Sequence, residues 1–208
     1  MSFLDLTYIT DTTDTTEACH VSGGSTICGI DEAGRGCLAG DVFAAAVILD
    51  KHKPIEGLDD SKKLSAAKRE WLYDEITANA AGYAIATASV EEIEQINILQ
   101  AALLAMRRAY EQLTAPHDIV LVDGNQSPAI FGCECVVGGD GKYAAIAAAS
   151  ILAKVARDRY MLELDELYPQ YQFAKHKGYA TKLHKEMILK HGALSIHRKL
   201  FLRKLESK

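Results

Sequence analysis

The 208 residues hold 23 Lys+Arg against 28 Asp+Glu, a formal net charge of −5, with 49% hydrophobic and 25% charged residues. That length favours one domain with its own core, and the apolar share is too high for a disordered chain. No apolar run approaches the roughly 20 residues of a membrane helix, and the opening MSFLDLTYITDTTDTTEACH has neither the basic start nor the apolar stretch of a secretory signal. A cytoplasmic protein with reduced thiols and no membrane association is therefore expected. The five cysteines, at positions 19, 28, 37, 133 and 135, form no C-x-x-C pair and lack the spacing of a zinc site.

Residues 1–25 are Thr- and Asp-rich and run into Ser22-Gly23-Gly24-Ser25, which predicts a loose arm. Ile27 to Glu32 reads as a strand ending in acids. After the Gly34-Arg35-Gly36 turn, the run VFAAAVIL from Val42 to Leu49 has the length and continuity of a strand buried on both faces. Pro54 to Lys63 is loop, and Ser65 to Ala80 has helical spacing with Ser65 as its cap. Tyr83 to Ala88 predicts a third strand. Ser89-Val90-Glu91-Glu92 is a capping box opening a helix to about Leu113, with a break near Asn97.

Ile119 to Val122 is a short buried strand that ends at Asp123-Gly124. Val136 and Val137 suggest another, ending at Gly138-Gly139-Asp140. Ile146, Ala149, Ala153, Ala156, Tyr160 and Leu164 then recur at steps of three and four, a long helix with a small-residue face, stopped before Pro169. From Thr181 the tail predicts one or two basic-flanked helices. Strands alternating with helices give an α/β fold with a mixed central sheet.

The charge is unevenly spread. Residues 1–141 carry 9 Lys+Arg against 22 Asp+Glu, a net −13, whereas residues 142–208 carry 14 against 6, a net +8, and also His176, His184, His191 and His197. This division suits a basic surface for a polyanion and an acidic cluster elsewhere for cations.

Asp31 and Glu32, Asp123 and Asp140 each stand where an apolar run ends beside glycine. Any one of them could simply cap a turn. Together, if their strands are neighbours, they crowd one sheet edge, and like charges there raise pKa values unless hard cations relieve them. Mg²⁺ or Mn²⁺ suits such oxygen ligands, and two ions about 3.5–4 Å apart can activate a water and steady a leaving oxygen in phosphodiester cleavage. The Gly34-Arg35-Gly36 turn departs from the dinucleotide fingerprint, since Gly40 comes one residue late and a strand follows. An open glycine backbone beside acids could instead bond a sugar hydroxyl and a phosphate.

The ordered motifs Ile30-Asp31-Glu32-Ala33-Gly34-Arg35-Gly36, Asp60-Ser61-Lys62-Lys63-Leu64, Asp123-Gly124-Asn125, Gly139-Asp140, Ala148-Ala149-Ser150-Ile151-Leu152-Ala153-Lys154 and His176-Lys177-Gly178-Tyr179 closely resemble those of bacterial ribonuclease HII. The resemblance runs from about Ile27 to Phe201. It implies a ribonuclease H-like core over residues 26–170 and a basic helical extension over 171–208. It further implies a monomeric, Mn²⁺- or Mg²⁺-dependent endonuclease that cuts RNA in RNA–DNA hybrids and at single ribonucleotides in duplex DNA. On this resemblance Asp31, Glu32, Asp123 and Asp140 bind the metal, and Gly34, Arg35 and Gly36 contact the ribonucleotide about its 2′-hydroxyl. Ser61 and Lys62 lie near substrate phosphates, and Tyr179 packs on the sugar at the junction. The 2′-hydroxyl separates an RNA from a DNA backbone, and a site built to bond it rejects its absence.

The chain departs from the family pattern at Cys37 and Asp41, where proline is usual, and at Asp59, Gly141 and Leu200. The first two bear on the shape of the sensing turn, and Asp59 on phosphate contact. Two rival readings use the same features: a non-catalytic nucleic-acid-binding module relying on the basic third alone, and a metal nuclease for DNA junctions.

Overall fold

The computed structural model describes residues 25–206, with side chains of the last helix through Arg203. The expected N-terminal arm lies outside the described residues, Ser25 excepted. Strands β1 (Ile27–Ala33), β2 (Val42–Ile48) and β3 (Gly82–Ala88) form an antiparallel meander. Strands β4 (Ile119–Asp123) and β5 (Glu134–Val136) run parallel to β1 on its other side, giving the order β3-β2-β1-β4-β5.

This mixed sheet has helices on both faces. Val42, Ala44, Ala46 and Ile48 of β2 share a core with helix α2 (Val90–Glu111), whereas Ala45 and Val47 pack with helices α1 (Ala66–Asn79) and α3 (Ala144–Leu167). The period-two alternation thus assigns one apolar run to two cores. Small residues on α3 bring its backbone against β1: a Cβ on Gly29 would lie 2.2 Å from the Ala145 carbonyl carbon and 2.3 Å from the Ile146 nitrogen. No side chain fits there.

The helix starts follow their sequence signals. The Ser65 hydroxyl accepts from the Lys68 N–H, and Ser89 and Glu92 form the reciprocal capping box. The break at Asn97 is a residue at φ 68°, whose side chain accepts from the Leu99 and Gln100 N–H groups and so caps the second segment. The fifth strand covers Glu134 to Val136, and Val137 stands exposed beyond it.

Three further helices, α4 (Phe173–His176), α5 (Lys182–His191) and α6 (Lys199–Glu206), close the chain. Leu38 and Ala39 from the turn after β1, Met161 and Leu164 of α3, and Tyr171, Phe173, Ile188 and Leu202 make a third core. Two arginines of the basic tail, Arg157 and Arg198, are fully buried, and His176, His184 and His197 are buried as well. The composition of this third therefore overstates its basic surface, because these five side chains belong to the interior.

Candidate active site

Parallel pairing sets Ile30 opposite Val122, so Asp31 and Asp123 come level at the ends of adjacent strands. Val136 pairs with Asp123, and the turn from Gly138 carries Asp140 back to the same edge. The Gly139 N–H donates to Asp123 Oδ1 at 2.7 Å, and the Glu32 N–H to Asp31 Oδ1 at 2.7 Å. Asp31 and Asp140 are buried, whereas Glu32 and Asp123 are half-buried.

The four acids sense one another through a poorly solvated edge. Burial first, then Glu32 and Asp123, pushes the Asp31 carboxyl well above the usual range, and bonds from the Glu32 N–H and from Ser150 only partly oppose this. Burial also raises Glu32, against the pull of Arg35. It raises Asp140 too, helped by Asp60 and Asp123. At this edge burial and neighbouring carboxylates thus disfavour the charged form of Asp31, Glu32 and Asp140, a penalty that a bound cation would offset. Among the described residues, no three His, Cys, Asp or Glu side chains close round a point that could hold an ion. Basic side chains occupy part of that space: Arg35 Nη1 lies 3.2 Å from Glu32 Oε1, and Lys62 Nζ lies 3.5 Å from Asp140 Oδ2. All four acids offer hard oxygen donors. Such a set suits Mg²⁺ or Mn²⁺, ions that take one or two carboxylates and complete their shell with water and phosphate.

Ser61 and Lys62 part company. Lys62 is exposed, and although burial alone would lower it, Asp60, Asp140 and Asp31 hold its amine above the ordinary value. Ser61 is buried, with its hydroxyl 2.8 Å from that of Ser150, which in turn bonds Asp31. Its hydroxyl therefore reaches an acid through Ser150. Asp60 and Ser150 are site neighbours to which residue patterns had assigned no role. A lone serine in the alanine-rich face of α3 was the available signal for Ser150.

The glycine turn follows β1 directly. Gly34 has φ 100° and is buried, whereas Arg35 and Gly36 are exposed. Cys37 pairs with Tyr179 in an antiparallel bridge, and the Leu38 N–H donates to the Gly178 carbonyl at 2.8 Å. Tyr179 is thereby set beside the turn, partly exposed, with its hydroxyl in contact with the Cys37 thiol and Lys154 Nζ 5.2 Å from its ring centre. Asp41 accepts from the Val90 N–H at 3.0 Å and so supports the start of α2. Asp59 accepts from Lys63 Nζ at 3.1 Å. The departures at 37 and 41 therefore serve the local frame. The described cysteines, Cys28, Cys37, Cys133 and Cys135, are all free.

A sequence model described as Ribonuclease HII matches residues 28–204. The chain is 60% identical over 176 residues to the ribonuclease HII of Albidiferax ferrireducens, covering 84% of this chain and 85% of that protein. It is 55% identical over 183 residues to that of Vibrio vulnificus, covering 88% of each. In three dimensions it is similar to the crystal structure of ribonuclease H2 from Pyrococcus horikoshii, with a TM-score of 0.69 at 23% identity over 88% of this chain and 97% of that one. It is also similar to Bst-RNase HIII in complex with Mn²⁺, with a TM-score of 0.72 at 16% identity over 89% of this chain and 70% of the other. The fold is thus shared across these structures, and with the curated relatives the likeness extends to sequence over most of both chains: this protein belongs to the ribonuclease HII family of divalent-metal-dependent endonucleases.

Proposed function

We propose that this protein hydrolyses the RNA strand of RNA–DNA hybrids and the phosphodiester on the 5′ side of single ribonucleotides in duplex DNA, leaving 3′-hydroxyl and 5′-phosphate ends. One observation carries the reading. The acid edge and the Gly34-Arg35-Gly36 turn, exposed at Arg35 and Gly36, lie on the same strand end, and the Cys37–Tyr179 pairing holds an aromatic ring against that turn. A cleaving centre and a surface able to feel a sugar are contiguous.

In this reading Asp31, Glu32, Asp123 and Asp140 hold Mg²⁺ or Mn²⁺, and the crowding of these carboxylates at one poorly solvated edge supports it. The ions would supply Lewis acidity that activates a water and offsets charge building on the phosphate. The protein's own part is positional. Gly139 and Ser150 fix Asp123 and Asp31 by hydrogen bonds, with Ser61 behind Ser150. Lys62, set against Asp140, is placed to meet a phosphate. Gly36 leaves its face open, with no atom within 4 Å of where a Cβ would stand, so a sugar can approach its backbone. Tyr179 packs on that sugar, and the helices after Tyr171 bear on the duplex.

The test is cleavage of duplex DNA holding one ribonucleotide, with an all-deoxy control and Mg²⁺ or Mn²⁺ added in turn. Nicking only 5′ of the ribonucleotide, stopped by EDTA, is expected. EDTA should change affinity for the same duplex by no more than about a few fold, because phosphate contacts by basic residues need no metal. Metal-independent binding with no cleavage under any ion would return the protein to the class of non-catalytic binders.

A further inference from the structure

Arg157 and Arg198 are fully buried, and among the described residues neither forms an ion pair. Their donors go instead to main-chain carbonyls. Arg198 Nη1 donates to the carbonyls of Gly34 (2.8 Å), Arg35 (3.0 Å) and Cys37 (3.0 Å). Its Nε and Nη2 donate to the Gly40 carbonyl at 2.9 and 2.7 Å. Arg157 takes those of Ala39 (3.0 Å), Asp41 (3.2 Å) and Lys177 (2.9 Å). Six carbonyls between Gly34 and Asp41 therefore point inward at two cations. A Cβ on Gly34 would stand 2.1 Å from Arg157 Nε, so the glycine is also the socket for that side chain.

Peptide geometry turns this into a statement about the outer face. All the described peptide bonds are trans, and in a trans peptide the C=O and N–H point in opposite directions. With the Gly34 and Arg35 carbonyls drawn in to Arg198, the Arg35 and Gly36 N–H groups of the same peptide units face out. Other N–H groups of the turn are occupied: Cys37 donates to Gly34, Leu38 to Gly178, and Gly40 to Ile196. Among the described residues those of Arg35 and Gly36 have no acceptor, and both residues are exposed. Successive outward N–H groups make a concavity for an oxygen ligand. A cation bonded to the carbonyl end of a peptide also strengthens the N–H at the other end. Filling the same volume with apolar side chains would be cheaper than burying two unpaired guanidinium groups. Burial, with Arg157 close by, even lowers Arg198 to about 10.

We propose that Arg198, braced by Arg157, is a specificity-positioning residue: it holds the glycine turn inside out so that the Arg35 and Gly36 N–H groups form a donor pair for an oxygen of the ribonucleotide. The inference rests on the proposed function and adds the element that gives the turn its donors. Lysine at 198 keeps the charge but cannot reach carbonyls on both sides of the turn from one nitrogen.

The test measures affinity without divalent metal for a duplex holding one ribonucleotide and for its all-deoxy twin, using the full chain and R198K, each checked for cooperative thermal unfolding. The wild type should prefer the ribonucleotide duplex. R198K should lose about tenfold or more on that duplex, since an unmet hydrogen-bonding site discriminates strongly, while its all-deoxy affinity stays within about twofold because phosphate contacts persist. A purely structural role would weaken both duplexes in parallel, and that result, or an unchanged preference, overturns the proposal. Should R198K fail to fold, amide spectra of the wild type decide. The Arg35 and Gly36 N–H resonances should shift with the ribonucleotide duplex and not with its twin; unmoved resonances overturn it. A wild type with no preference refutes the functional reading itself, and the inference falls with it.

Discussion

Acid should loosen the C-terminal helices through a relay of neutral histidines. The Leu194 N–H donates to His197 Nδ1 at 2.9 Å, His197 Nε2 faces His184 Nε2 at 3.2 Å, and His184 Nδ1 faces the Tyr179 carbonyl at 3.0 Å. A fixed donor at one end and a fixed acceptor at the other leave one arrangement: His197 carries its proton on Nε2 and His184 on Nδ1. A further proton on either ring would set N–H against N–H. Burial, and for His184 the neighbouring His176 stacked at 4.1 Å, lowers both rings from 6.5 to about 4. The folded pKa lies below the unfolded one, so this stability is fully present above about pH 6.5 and drains as pH falls toward 4. At pH 5 each ring accounts for about 2 kcal/mol before solvent screening, on the order of 1 to 2 kcal/mol after it. Asp31, Glu32 and Asp140 are raised and act with the opposite sign. Comparison with H197F removes them, because they are common to both proteins. From denaturant titrations at pH 8 and pH 5, the wild type should lose roughly 1 to 2 kcal/mol more than H197F, although H197F is the less stable at pH 8 for want of a partner to the Leu194 N–H. Parallel losses in the two proteins would refute the relay.

Replacing Asp31 by Asn should abolish turnover while leaving substrate affinity within about a few fold, because the basic contacts remain; it should also raise the thermal midpoint without metal, since a buried charge crowded by Glu32 and Asp123 is removed. Normal rates in D31N would dismantle the proposed metal site. Y179A should slow cleavage at a single ribonucleotide by roughly tenfold or more, the scale of one aromatic contact with a nucleotide; an unaltered rate would take Tyr179 out of the site. G29A should cost at least about 3 kcal/mol, because its Cβ would meet helix backbone at 2.2 to 2.5 Å that cannot swing aside. Calorimetry showing a midpoint within about 2 °C of wild type would contradict the close approach of α3 to β1.

The strands and long helices were legible because each carries a local signal. VFAAAVIL is apolar at every position, as a doubly covered strand must be, and Ser65 and Ser89 cap their helices from where sequence places them. The end of β5 was misjudged by a residue, since Val136-Val137 looks apolar while the strand itself is an exposed edge through Glu134 and Cys135. Helix α4 was missed: four residues entered through Gln172 at φ 56° and left through Lys177 at φ 48° have no periodicity to read. The resemblance set Ser61 near substrate phosphates, but nothing in Asp-Ser-Lys-Lys announces that its hydroxyl turns inward to Ser150. Arg157 and Arg198 were counted as surface charge. Composition cannot show that carbonyls of a distant turn will satisfy a guanidinium, because those partners lie 116 to 164 residues away along the chain.

The loose arrangement of the acids follows from what neutralises them. Arg35 and Lys62 stand against Glu32 and Asp140, and their side chains are 49% and 80% exposed. Ion pairs at that exposure contribute about 1 kcal/mol or less, so they can be exchanged for stronger partners at little cost. An ion on the carboxylates and a phosphate against the two basic groups would replace two weak pairs by interactions in a drier space, with no rearrangement of the strands. In the proposed function the distance between cutting and sensing is set by the backbone, since Asp31 and Gly34 are three residues apart, about 10 Å in extended chain, and by the arginine brace that would fix the turn at its far end. A change that frees the turn should therefore blur where the strand is cut before it slows the cutting.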